Sequence, residues 1–142
     1  IQFVAQSLGH FFIKALYMFA DKNRPSTWRK YFDGMCDTCQ ATCCQMPCEV
    51  TLEDLVRLEL IDEFEAEEPP KKIAKKLKKM RVIEHFNIRN TIFTLQRLST
   101  GECLYLDPST KRCTVYEKRP KTCSDHPEIS SRANYCPYNK KP

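Results

Sequence analysis

Nine cysteines fall into two groups along this chain of 142 residues. The first group is Cys36, Cys39, Cys43, Cys44 and Cys48, and the second is Cys103, Cys113, Cys123 and Cys136. Thiols have three ordinary uses: core packing, disulfides and metal ligation. Packing explains one or two buried cysteines, but not five crowded into one short stretch. Disulfides would leave one of the nine unpaired, and the lysine-rich amphipathic helix that follows is unlike a loop-rich stapled scaffold. Metal ligation fits best. Cys36-x-x-Cys39 brings two thiolates close enough to share one ion. On a helix, Cys36, Cys39 and Cys43 would share a face, with Cys44 on its flank. Adjacent side chains diverge by about 100° on a helix and about 180° on a strand. Cys43 and Cys44 therefore need not serve the same ion. Cys44 and Cys48 also have a plain packing reading. His126 follows Cys123 by three residues and is a further candidate ligand, or else a surface group. His10 and His85 have no ligand-like company.

Other chemistry is poorly served. The chain has three glycines, and no phosphate-cradling loop, nucleophile triad or cofactor fingerprint can be read in it. Its formal charge is +5 with the cysteines counted as neutral. A tetrathiolate zinc site carries about −2, so two of them would lower the sum to about +1. The basic balance is thus a weak argument for an anionic partner.

The elements that must position the thiols are less regular. Residues 1–20 are apolar apart from a stripe of Gln2, Gln6, His10 and Lys14 at every fourth position. This predicts a helix packed on its own domain, or docked on a protein partner or a membrane surface. It lacks the basic start and small-residue cleavage site of a signal peptide. Thr51 predicts a helix N-cap with Asp54 closing a capping box, and the helix continues through Leu60. The acidic run from Asp62 to Glu68 ends at Pro69-Pro70. A second helix is expected from Lys71 to His85, with Ile73, Leu77 and Met80 inside. Its lysines form a solvated face, with nucleic acid or acidic lipid as the minority reading. Thr91–Leu98 reads as a strand. Cys103–Leu106 and Cys113–Tyr116 read as two short strands joined by turn residues Asp107–Lys111.

The cysteine pattern resembles a known family. Cys36-x-x-Cys39-x-x-x-Cys43-Cys44 and the helix start Val50-Thr51-Leu52-Glu53-Asp54-Leu55 are similar to the YkgJ-like cysteine-cluster proteins, described as zinc- or iron-chelating. The stretch from Cys103 through Asp107, then Cys113, Tyr116, Arg119-Pro120 and Cys123, resembles the family's second motif. The likeness covers about residues 36 to 136. Three residues (Gln40, Ala41, Thr42) separate Cys39 from the pair, one more than the family's usual spacing. Ser124-Asp125-His126 replaces the family's Arg and aromatic before Pro127. Cys48 is extra to the eight shared cysteines.

The resemblance implies metal binding by Cys36, Cys39, Cys43, Cys44, Cys103, Cys113, Cys123 and Cys136, with Cys48 and His126 as lesser candidates. Arg119, aimed by Pro120, could support thiolate charge from behind the ligands or be a surface arginine. The negative charge of such a centre favours the first. Crowded thiols and scarce histidine favour an iron–sulfur cluster of the 4Fe–4S type, with zinc as the alternative. A related cluster in a flagellin lysine methylase keeps an iron–sulfur enzyme or electron carrier in view beside a metal-stabilised binding or assembly module. Free thiols imply a reducing compartment, such as the bacterial cytoplasm. The expected fold is α+β and mostly helical: an N-terminal helical extension over 1–35, then a metal-centred domain over 36–142 with a short β-hairpin.

Overall fold

The computed structural model describes residues 19–141. The expected N-terminal helix lies outside the described residues. The architecture is a small α+β fold, but the expectation of a mostly helical one is corrected. Among the described residues the α-helices are four: α1 (Met35–Thr38), α2 (Leu52–Arg57), α3 (Pro70–Lys79) and α4 (Lys121–Asp125). Around them run two antiparallel sheets. β2 (Glu49–Val50), β4 (Ile92–Leu95) and β3 (Ile83–Asn87) form one, in the order β2-β4-β3. β1 (Arg29–Lys30) and β5 (Tyr135–Cys136) form the other. None of the described helices is long and apolar enough to cross a membrane.

The core lies where α2 and α3 cover the larger sheet. Val50, Leu55, Ile73, Leu77, Ile83 and Phe93 are buried together. Val50 pairs with Phe93 across β2 and β4, and Phe86 pairs with it from β3, the two rings stacking at 4.8 Å. The capping box at Thr51 forms as its sequence predicts, with the Asp54 amide donating to the Thr51 hydroxyl and the Asp54 carboxylate accepting from the Thr51 amide. α2 stops at Arg57, short of the expected Leu60, and Glu59 takes a left-handed φ of 60°.

α3 also ends early. It closes at Lys79, Arg81 turns left-handed at φ 58°, and the chain reverses into β3. The β-branched Val82-Ile83 then favours an extended backbone, and the sheet supplies what the helix would lose. Met80 is exposed rather than part of the apolar face, where Ala74 sits with Ile73 and Leu77. The acidic run neutralises part of the lysine face: Glu65 pairs with Lys76, and Glu68 with Lys72.

The expected hairpin also moves. The real hairpin is β3–β4, while Cys103–Leu106 and Cys113–Tyr116 touch through a single bridge between Leu106 and Cys113. The turn chemistry between them is as read: the Asp107 carboxylate accepts from the Ser109 and Thr110 amides and the Ser109 hydroxyl.

Candidate metal centre

The first cysteine segment is not one helix. α1 is a single turn carrying Cys36, and Gly34 before it takes a left-handed φ of 81°. Cys39 is already extended. Ala41 turns left-handed at φ 61°, and a 3-10 turn over Thr42–Gln45 then carries Cys43 and Cys44. The additional residue between Cys39 and Cys43 is absorbed at this break. Cys36, Cys39 and Cys43 therefore do not share a helical face. Cys48 precedes β2, where its carbonyl accepts from the Leu95 amide at 2.9 Å.

Long-range backbone bonds bring the second cysteine group over the first. The Cys103 amide donates to the Cys44 carbonyl at 2.8 Å. Cys123 lies on α4, and the Lys121 amide at the start of that helix donates to the Asp54 carboxylate at 3.1 Å. Cys136 lies on β5, opposite Arg29 of β1. Beyond it, Lys140 bridges to Cys39 and the Gln40 amide donates to the Asn139 carbonyl at 2.8 Å. Asn139 also holds the Ala20 backbone at both ends, amide and carbonyl at 2.9 Å each, and donates to the Thr42 hydroxyl. Nothing in the local sequence singles out Asn139, whose partners lie about a hundred residues away.

The thiols form neighbouring pairs across this junction. Cys48 Sγ and Cys123 Sγ are 3.5 Å apart, and Cys136 Sγ stands 3.3 Å from His126 Nε2. Cys48 is buried, Cys36 and Cys43 are exposed, and the other six are half-buried. No three Cys, His, Asp or Glu side chains among the described residues close on a single point as they stand.

Hydrogen bonding and burial set the protonation of these groups. The hydrogen bond between the Cys48 and Cys123 sulfurs pushes Cys48 up and holds Cys123 below its ordinary value. Cys44 and Cys43 form a like pair, with Cys44 raised and Cys43 lowered. Burial raises Cys36, Cys103 and Cys113. It pushes Cys136 up to about 12, with Cys43, Cys36 and Cys39 adding to the rise. Burial also holds the His126 imidazole below its usual value, which favours the neutral ring that a metal needs.

Arg119 stacks on Tyr116 at 3.9 Å and donates from Nε to the Tyr116 carbonyl. Its charge favours the thiolate form of Cys36, Cys43, Cys113 and Cys123, against burial and the neighbouring thiols. It also lines a hollow of about 370 Å³ with Asp54, Arg57 and Lys121.

The donor set suits a thiophilic ion. Sulfur predominates, one neutral imidazole lies at the edge, and a cation offsets the negative charge that several thiolates would gather. No curated protein and no solved structure matches the chain. A family comparison does match, over residues 35–138, to the CxxCxxCC family, described as a "putative zinc- or iron-chelating domain". With most of its length inside that match, this cysteine-rich chain belongs to the CxxCxxCC family.

Proposed function

We propose that the cysteines hold a metal centre that ties five separate chain segments into one small binding or assembly module. The observation that carries this reading is the junction itself. Cys36–Cys48, Cys103, Cys113, Cys123 and Cys136 sit on segments with few ladder bonds of their own, yet their thiols neighbour one another. An ion bound there converts its binding energy into folding energy. The same eight cysteines are the ligands this reading assigns, with Cys48 beside them.

The cofactor this reading favours is an iron–sulfur cluster of the 4Fe–4S type, because the donors are crowded and nearly all sulfur. Zinc is the second reading, supported by the contact between Cys136 and the neutral His126. Elemental analysis with visible spectroscopy on anaerobically purified protein separates them. Iron and sulfide with a dithionite-bleached absorption are expected. Stoichiometric zinc would sink the iron–sulfur reading, and a folded chain with neither metal would sink the metal centre altogether.

Arg119 is assigned a positioning role behind the ligands, since its charge favours thiolate at four cysteines. Arg119→Gln is expected to weaken the metal by about tenfold in chelator competition, in the range typical for groups supporting ligands. Arg119→Lys should recover part of that loss. Equal affinity in all three proteins would return Arg119 to the surface.

A further inference from the structure

The lysines of α3 stand on two flanks that differ in company. Successive residues turn by about 100°, which places Ile73, Ala74 and Leu77 on one arc, buried on the core. Lys72 and Lys76 share the next arc, beside the acidic run. Glu68 pairs with Lys72 at 3.7 Å, and Glu65 pairs with Lys76. Lys71, Lys75, Lys78 and Lys79 fall together on the remaining arc, all exposed. No carboxylate among the described residues pairs with any of these four. Residues 1–18 contain no aspartate or glutamate.

This second arc is self-repulsive. Lys71 and Lys75, and Lys75 and Lys79, are like charges one turn apart, and Lys78 lies three residues from Lys75. Such pairs weaken a helix. Solubility alone is better served by interspersed signs, as on the flank of Lys72 and Lys76. A bound polyanion would turn the repulsion into attraction.

The chemistry of the face selects among polyanions. The apolar side of α3 is buried in the core, so the helix has no hydrophobic face to lay into a bilayer. The four side chains are point charges without the planar fork that reads base edges. No aromatic residue lies in α3 to stack on unpaired bases. The regular phosphate array of a duplex fits what is left. Lys71 to Lys79 rise about 12 Å along the helix axis. One strand of a duplex presents roughly three to four phosphates over that length.

We propose that the face of Lys71, Lys75, Lys78 and Lys79 is a docking surface for the phosphate backbone of a nucleic-acid duplex, bound without regard to base sequence. The proposal goes beyond the metal centre and does not rest on it, because α3 is held by the apolar core.

The test is fluorescence anisotropy of a short labelled DNA duplex of random sequence, with a matched RNA duplex beside it, titrated with the full chain. Four neutralised phosphates give a slope of about −3.6 in log affinity against log salt, or about a hundredfold loss between about 50 and 200 mM. Lys75→Gln with Lys79→Gln should make that slope shallower by about 2 and weaken binding about tenfold or more at low salt. Lys75→Arg with Lys79→Arg should keep it. Lys72→Gln with Lys76→Gln removes the same formal charge from the paired flank and should leave the slope nearly unchanged. Circular dichroism of each variant checks the fold. Equal losses from the two glutamine variants would reduce the effect to net charge and overturn the proposal. So would a Lys75→Gln, Lys79→Gln variant that binds like the unsubstituted chain, or no binding to either duplex at low salt. Tighter binding to phosphatidylserine vesicles, or to a single strand of the same sequence, overturns it in favour of that partner.

Discussion

Stripping the metal from the reduced protein with a strong chelator is expected to lower its melting temperature by more than about 10 °C. An ion held at a thousand times its dissociation constant stabilises the native state by about 4 kcal/mol. For a chain of this size, each kcal/mol corresponds to a few degrees. The loss should be uneven. The core of β2, β3, β4, α2 and α3 is built from buried apolar side chains, with Cys48 the one thiol buried among them. The segments around Cys36–Cys44 and Cys103–Cys136 have short elements and few buried apolar groups, so they should open first. Hydrogen exchange is the sharper measurement. The amides of Gln40, Cys103 and Cys123, all hydrogen-bonded across or within the junction, should lose protection, while those of Phe93 and Leu95 keep it. Unchanged melting and exchange after proven metal loss would refute the tie. Re-addition of the metal should restore both.

How far the sequence foretells this arrangement depends on the range of the forces involved. Thr51 and Asp54 are three residues apart, and their capping box is legible because both partners sit in the same turn. The Asp107 turn is legible for the same reason. The end of α3 is not legible, because lysine-rich helix propensity runs on past Lys79, whereas the reversal at Arg81 is imposed by the sheet into which Ile83 must fit. A helix over Cys36–Cys43 is broken at Ala41. Alanine favours a helix, but this one takes a left-handed backbone where the chain must bend toward the Asn139 side chain, which grips Thr42. Cysteine spacing shows where thiols crowd along the chain, but not which of them become neighbours. The Cys48–Cys123 contact spans 75 residues of chain and has no local signature.

Asp54→Ala is expected to cost about 3 kcal/mol and to weaken the metal as well. Asp54 is 2% exposed, yet its carboxylate serves three donors. It accepts from the Thr51 amide, pairs with the Arg57 guanidinium, and accepts from the Lys121 amide at the start of the helix carrying Cys123. Arg57 continues outward to the Arg119 carbonyl at 3.1 Å, so one buried carboxylate sits beneath both Arg119 and Cys123. Removing one partner of a buried pair typically costs about 3–5 kcal/mol. The lower figure applies here because Arg57 is half-exposed and water can replace part of what it loses. Asp54→Asn keeps the volume and one acceptor but turns an amide donor toward donors, so about half the loss should remain. Urea unfolding gives the stability, and the linear slope shows whether the native state stays intact. Chelator competition gives the metal affinity, which should fall further than for a substitution of similar stability cost in the hydrophobic core, such as Ile73→Ala. If Asp54→Ala costs less than about 1 kcal/mol, the carboxylate is not the hub described. If it costs the full amount but metal affinity is untouched, the helix of Cys123 is held by something other than Asp54.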